Sequence, residues 1–518
     1  MDLLSNRALV IGNSEYGLKV ASEIVSIGVP VTLISRRPLV SPGPVEGSVP
    51  IEFFSPATLV DFQGTTGRFE AVVELNDGNR ITREVGSTVV ALESDQRADF
   101  DKWGLERKNN ILSLEDMVSL LSTNDLALGQ DGKVCFISQF NGQSNAVCQA
   151  RLVRVARDLR RHVNCQVFVL TEHFKVAEAG LERELREARD SGIVFVKMVD
   201  QRPRVTVEGD RLLISYYDEA FCSEIELGVD MLVLEDSIYP PNYAAEISRI
   251  LDIELDTSGF FQGDFVHNFP IFTSRNGIYV VGSCKGPIGK DRALSEAKAV
   301  ALEVAKLLEL FDTEDLKPTI YWDSDKCASC LTCYRVCPHR AIVFSDGKPM
   351  FYPLACRSCG ICVAFCPMNA IDLIEDEKCG DELRWRLRPR LEEPLPELVI
   401  FACQNSGYQA YELARRMGFV AEGDFQIFKV PCAGSIDHES IASAFAYGAK
   451  TVIIAACPHD SCKSIEGSRF SEGRSRVVNG LLSELGLGEE RLVFVTLASG
   501  MAKEFAGLIN KAAVKAWI

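Results

Sequence analysis

No apolar run in the 518-residue sequence approaches the roughly 20 residues that a helix needs to cross a bilayer. The start, MDLLSNRALVIG, has no basic segment leading to a small-residue cleavage site. Membrane insertion and export are therefore not expected. The expected address is the cytoplasm, with a membrane complex reached only through partners. Positive charge is also short: 55 Lys and Arg face 72 Asp and Glu, a net charge of -17. That balance argues against a nucleic-acid partner. Disorder is excluded as well, because 47% of the residues are hydrophobic and 25% charged, an ordinary globular composition. A chain of this length accommodates about two to four domains.

Cysteine, by contrast, is abundant. Eighteen of them in a chain with a cytoplasmic address point to metal ligation or redox chemistry rather than to disulfides. Cys135, Cys148, Cys165, Cys222 and Cys284 are scattered, eight crowd between Cys327 and Cys366, Cys379 follows, and Cys403, Cys432, Cys457 and Cys462 occupy the last part. The crowded segment contains CASCLTCYRVCP and CRSCGICVAFCP, two copies of C-x2-C-x2-C-x3-C-P. This is the two-cluster bacterial ferredoxin spacing, in which the fourth cysteine of each run ligates the other cluster. Cys327, Cys330, Cys333 and Cys366 are thus expected to hold one 4Fe-4S cluster, and Cys356, Cys359, Cys362 and Cys337 the second. Pro338 and Pro367 turn the chain away after each crossing ligand. Zinc knuckles or a disulfide knot would not require the duplication with both prolines.

From Leu395 onward strand and helix patterns alternate: ELVIFAC, YQAYELARRMG, FQIFKVPC, ESIASAFAYGA, KTVIIAAC, RVVNGLLSELG and LVFVTLAS. The pattern predicts a parallel α/β sheet. Cys403, Cys432 and Cys457 close successive strands and Cys462 follows in the loop CPHDSC, so all four fall at the strand ends where such sheets bind ligands. Four convergent thiols suit a 2Fe-2S cluster or zinc, and buried apolar cysteine is the structural alternative. The segment KVPCAGSID through RLVFVTLASG is similar to the delta subunit of methyl-viologen-reducing hydrogenase. The resemblance implies a 2Fe-2S cluster on Cys432, Cys457, Cys462 and Cys403. The family often has a C-x2-C pair where this chain reads CQNSG. His459, inside the loop, is either a donor to the cluster's surroundings or a plain loop residue.

The first 315 residues open with strand RALVIG, helix GLKVASEIVSIG and strand VPVTLIS, a βαβ unit. Its fingerprint reads Gly12, Ser14, Gly17, with serine where the second glycine lets backbone approach a pyrophosphate. The second strand ends in Ser35, Arg36 and Arg37, where a ribose-binding acid would stand. A β-rich stretch follows, turning at Asn76-Asp77-Gly78, then a second α/β unit whose SQFNGQSNA lacks the glycines of a nicotinamide-cofactor loop. NGIYVVGSCKGPIGKDRALSEAKAV then returns to strand, glycine turn and helix. This order looks like the two-dinucleotide-domain flavoprotein fold of thioredoxin reductases, and within it resembles the A subunit of heterodisulfide reductase. The resemblance implies an FAD carried at Gly12, Ser14, Gly17 and the turn from Gly282 to Gly286, with Lys285, Lys290 and Arg292 near its phosphates or in solvent. Cys148 and Cys284 read as core or loop cysteines.

The expected domains are therefore 1–127 with 241–315, a split FAD-type domain; 128–240, an inserted nicotinamide-type domain; 318–380, the ferredoxin domain; and 395–518, the hydrogenase-delta-like domain. The same order resembles the B subunit of the quinone-interacting membrane-bound oxidoreductase. It implies an oxidoreductase component with no substrate site of its own, passing electrons among clusters. The implied partners are heterodisulfide reductase, hydrogenase, formate dehydrogenase or quinone modules. Two readings stay open: a flavin-containing subunit, and a flavin-free wire and scaffold with a degenerate flavin domain.

Overall fold

A computed structural model describes the chain apart from residues 1–4, 39–48, 124, 127, 130, 141–143, 199–200, 210, 220, 262–269, 310–318, 375–393, 421–424, 489–490 and 517–518, and at 208, 309 and 512–516 it describes the backbone alone. Cys379, part of SQFNGQSNA, and the expected junctions at 315 and 318 lie outside the described residues.

The first sheet is parallel and five-stranded. Ala8–Ile11, fully buried as ALVI, lies at its centre between Val31–Ile34 and Ser87–Val90, with Ile51–Phe54 and Ile278–Val280 at the edges. Continuous apolar strands are what a parallel sheet covered on both faces requires. Helices Glu15–Ser26 and Lys290–Glu309 pack on one face through Val20, Ile24, Ala297, Val300 and Val304. The antiparallel meander Ala57–Thr65, Arg68–Leu75 and Arg80–Val85 covers the other, and its second turn falls at Gly78 as expected.

The second sheet, also parallel, has the order Val194–Lys197, Gln166–Thr171, Lys133–Ile137, Met231–Leu234, Ile111–Ser113. The last strand corrects the domain boundary expected at 127/128. Ile111 pairs with Leu232, and helix Leu114–Thr123 buries Leu114 and Met117 in the core of the inserted domain. The crossing point lies earlier, where Asp95–Arg97 runs antiparallel to Ser237–Tyr239 and Arg97 sits 4.4 Å over the Tyr239 ring. A two-stranded ribbon ties entry and exit of an insert at one place. It leaves no sequence signal beyond three residues on each side.

The ferredoxin domain pairs Ile320–Trp322 with Ile371–Leu373 and Ile342–Ser345 with Lys348–Phe351, around short helices Thr332–Val336 and Ile361–Ala364. Its internal repeat extends to the backbone. Ser329 and Ser358, Leu331 and Gly360, and Arg340 and Asn369 all have positive φ, at matching positions in the two halves.

The C-terminal sheet has the parallel order Phe425–Val430, Leu398–Cys403, Thr451–Ala456, Leu492–Thr496. Helices Gly407–Arg416 and Ala502–Ala516 cover one face, and His438–Ala446 and Gly467–Glu484 the other. Strand order reverses between Leu398–Cys403 and Thr451–Ala456. A crevice opens at such a switch point, outside the strands' carboxyl ends.

Candidate metal centres

The ferredoxin cysteines fall into two groups. Cys327, Cys330, Cys333 and Cys366 line one cavity, walled by Leu331, Phe344, Pro349 and Ile371. Cys337, Cys356, Cys359 and Cys362 line another, walled by Ile320, Ile342, Phe351 and Ile361. In each cavity three cysteines come from one run and the fourth from the other. Left-handed residues inside each C-x2-C-x2-C run curl it so that its three side chains share one cavity.

Backbone amides point at the sulfurs in a repeated pattern. Ala341 N–H donates to Cys337 Sγ at 3.4 Å, Ala370 N–H to Cys366 Sγ at 3.3 Å and Ser358 N–H to Cys356 Sγ at 3.4 Å. Such donors stabilise negative charge on sulfur. Desolvation opposes it: burial pushes the Cys333 thiol up to about 11 and that of Cys359 up to about 12. Thiolates here therefore need a cationic group beside them, and binding one releases protons. Cys330 is the exception, lowered by its hydrogen bond with Thr332.

In the C-terminal domain Cys403 ends the first strand and Cys457 follows the third, so they flank the switch point with their sulfurs 3.5 Å apart. Cys457 also meets Cys462, and Cys462 meets Cys432, so the four sulfurs form one continuous row. Donation by Cys432 and then by Cys457 lowers the Cys462 thiol, while its contact with Cys403 raises Cys457. Gly467 closes the row: a Cβ there would stand 2.3 Å from Cys432 Sγ and 3.5 Å from Cys462 Sγ. His459 lies beside the row, with Nδ1 3.0 Å from Ser468 Oγ, Nε2 3.3 Å from Glu472 and its ring stacked on Phe494. Among the described residues no three His, Cys, Asp or Glu groups converge as one metal ion would require. The thiols border cavities and a row instead of a point, a spread that fits multi-iron clusters.

The second ferredoxin cavity and this row adjoin. A Cβ at Gly360 would stand 2.8 Å from Ser435 Cβ, and one at Gly434 2.9 Å from Ile361 Cγ1. Phe365 meets Phe470 edge to face at 4.9 Å. Arg474 lies 4.3 Å over the Phe365 ring and donates to the Gly434 and Ile436 carbonyls at 2.8 and 2.7 Å. On its other side the ferredoxin is tied to the first domain. Arg340 pairs with Asp252 at 2.6 Å, Asn276 donates to Leu354 O at 2.5 Å and Arg357 to Thr273 O at 3.4 Å.

At the expected flavin positions most side chains pair within the chain. Ser14 Oγ accepts from Gly17 N–H at 3.2 Å and donates to Ala91 O at 2.9 Å, so it caps helix Glu15–Ser26. Packing requires Gly12 and Gly17, and Gly12 also has a positive φ of 120°: a Cβ on Gly12 would stand 2.4 Å from Ala91 O and one on Gly17 2.2 Å from Gly12 O. The Tyr16 ring rests on the glycine turn, where a Cβ at Gly282 would stand 2.6 Å from it. Gly286, with φ near 128°, has no neighbour within 4 Å of such a Cβ. Arg36 pairs with Glu246 at 2.5 Å and lies over Tyr243; Arg37 pairs with Glu93 at 2.7 Å. Lys285 and Arg292 reach Glu296, at 2.5 and 3.6 Å, and Lys290 reaches Glu15 at 2.7 Å. Residues at the phosphate and ribose positions thus pair with one another within the chain.

The inserted domain repeats the theme. Glu235, which follows strand Met231–Leu234, is 2% exposed and accepts from Gln139 N–H at 2.5 Å and Ser144 Oγ at 2.8 Å, just ahead of helix Ala146–His162. A carboxyl group of the chain lies where a dinucleotide phosphate would meet a helix N-terminus. Cys148 and Cys284 are buried, each pushed up to about 12 by desolvation. Sequence reasoning did not single out Tyr16, Glu235, His339, Gly360 or Gly467. His339 stands directly after Cys337-Pro338, Gly360 inside the second cysteine run and Tyr16 inside the fingerprint, whereas Glu235 and Gly467 stand in none of the motifs.

Comparison with known proteins agrees with this division. Residues 319–371 match the family "4Fe-4S dicluster domain" and residues 398–516 match "Methyl-viologen-reducing hydrogenase, delta subunit". The chain is 24% identical over 369 residues to the A subunit of ferredoxin:CoB-CoM heterodisulfide reductase from Methanosarcina mazei, covering 71% of this chain and 46% of that protein. It therefore spans about half the length of the curated relatives of this type that it matches. The C-terminal part is 32% identical over 114 residues to the iron-sulfur D subunit of the F420-non-reducing hydrogenase vhu from Methanopyrus kandleri, covering 22% of this chain and 86% of that one. Among solved structures, T. acidophilum thioredoxin reductase is 13% identical, covering 58% of this chain and 99% of that chain with a TM-score of 0.38. No described helix is long and apolar enough to cross a membrane. The chain joins a region homologous to the A subunit of heterodisulfide reductase, and a 4Fe-4S dicluster domain, to a domain, residues 398–516, that belongs to the methyl-viologen-reducing hydrogenase delta subunit family.

Proposed function

We propose that the chain is a flavin-free electron relay with three iron-sulfur centres. The first two would be 4Fe-4S clusters, on Cys327, Cys330, Cys333 and Cys366 and on Cys337, Cys356, Cys359 and Cys362. The third would be a 2Fe-2S cluster on Cys403, Cys432, Cys457 and Cys462. The observation that carries the reading is direct packing of the second ferredoxin cavity on the C-terminal row, through Gly360 against Ser435 and Phe365 against Phe470. When bound, the clusters supply reversible one-electron storage. The chain's part is to hold them close, to exclude water with the aliphatic walls and to aim amides at the sulfurs. The two-iron assignment for the third site is the one implied by the resemblance to the hydrogenase delta subunit.

The filled dinucleotide positions favour the flavin-free form over the flavin-containing one. With neither a substrate cavity assigned nor a nicotinamide loop, the relay needs redox partners at both ends. Modules of heterodisulfide reductase, hydrogenase, formate dehydrogenase or quinone-reducing type fit that need. The test is anaerobic purification followed by assay of iron, acid-labile sulfide and released flavin. About ten iron and ten sulfide per chain with no flavin is the expected result, from two four-iron clusters and one two-iron cluster. Stoichiometric FAD would replace the flavin-free reading, and a chain reconstituted to fewer than about eight iron would sink the relay itself.

A further inference from the structure

His339 is 2% exposed, and among the described residues neither Nδ1 nor Nε2 has a hydrogen-bond partner. Buried imidazole nitrogens without partners are rare, because each loses its water and gains nothing in exchange. The ring lines the cavity of Cys337, Cys356, Cys359 and Cys362. Arg357, Cys462 and Lys463 lie within electrostatic reach, so the residue stands where the ferredoxin and C-terminal thiols come together. A neutral imidazole carries one N–H donor and one acceptor. Apart from Arg357 and the four cysteines the side chains lining the cavity are aliphatic or aromatic, so the acceptor for that donor is sulfur, of the thiolates or of the group they bind.

We propose that His339 is a positioning residue of the second ferredoxin cluster, its ring N–H donating to a sulfur of the group held by Cys337, Cys356, Cys359 and Cys362. The inference rests on the relay reading and deepens it. A donor to sulfur stabilises the more negative, reduced state and raises the reduction potential. His339 thereby makes the centre beside the C-terminal domain a better acceptor than its thiol set alone would.

The experiment is an anaerobic, spectroscopically monitored redox titration of the full chain carrying His339→Leu or His339→Gln, with iron counted first. Leucine should leave the iron complement intact and lower the midpoint of one four-iron centre alone. Glutamine, which retains an N–H donor, should restore part of the shift. An unchanged midpoint in His339→Leu, an equal shift at every centre, or loss of iron in both variants would overturn the proposal. Absence of iron and sulfide from the unmodified chain would instead refute the relay reading.

Discussion

Gly467 is the residue on which the C-terminal centre depends most closely without being a ligand. It is the first residue of helix Gly467–Glu484, five positions after Cys462, and the Cys432 sulfur lies over its α-carbon. In Gly467→Ala the new methyl would stand 2.3 Å from that sulfur, whereas ordinary contact begins at 3.4 Å. One of two things must give. Either the helix start retreats by more than an ångström from Cys432 and Gly434, or Cys432 turns out of the row. Overpacking of this kind costs about 1–3 kcal/mol in a well-packed interior, and either response removes a ligand from its place. The expected outcome is loss of about two of about ten iron atoms, with both ferredoxin clusters retained. Gly473→Ala, in the same helix with nothing within 4 Å of its added methyl, is the control. It should keep all the iron and gain up to about 1 kcal/mol from helix propensity. Iron and sulfide analysis alongside thermal unfolding reads both effects. A full iron complement in Gly467→Ala would refute the placement of the third centre.

Exchange of ligands between the two ferredoxin runs has its own signature. Cys366→Ser should abolish the centre formed with Cys327, Cys330 and Cys333 while sparing that of the nearer Cys356, Cys359 and Cys362, as distinguished by reduced-state spectra. The pattern reversed would mean that each run ligates a single cluster. Glu235 gives a pH prediction. Desolvation raises its carboxyl to about 7 from an ordinary value near 4.3. The fold thus favours the neutral form: that contribution is fully present below about pH 4.3, declines as pH rises and is lost once pH passes about 7. Glu235→Gln keeps one carbonyl acceptor, for Gln139 N–H, and turns its NH2 towards Ser144 Oγ, which then accepts, without the charge, so its unfolding temperature relative to the parent chain should rise between pH 5 and 7 and then level off. A difference independent of pH would show that Glu235 is not titrating in the folded domain.

The ferredoxin part was legible in the sequence because eight ligands and two prolines recur at fixed spacing, and tight spacing fixes tight geometry. The C-terminal sheet was legible for another reason: unbroken runs such as LVIFAC and TVIIAA have nowhere to go but the middle of a parallel sheet. Contacts between distant segments left no such trace. That Ile111–Ser113 joins the inserted sheet depends on a pairing with Met231–Leu234 more than a hundred residues away. Gly360 and Ser435, or Gly467 and Cys432, are unremarkable residues until the domains that carry them are docked. The Ser14 fingerprint was ambiguous on its own, since a serine can cap a helix or face a phosphate; its bonds to Ala91 and Gly17 are those of a cap.

The first domain also holds the ferredoxin in place. Asp252, Thr273 and Asn276, at the far end of the first domain, hold Arg340, Arg357 and Leu354 of the ferredoxin. Two of those three partners belong to the segments that shape the second cysteine cavity: Arg340 is the left-handed residue just after His339, and Arg357 follows Cys356. Ion pairs and carbonyl contacts of this sort fix position more than they add stability. Such anchoring needs the sheet and the turn around residues 273–276, and it needs no cofactor.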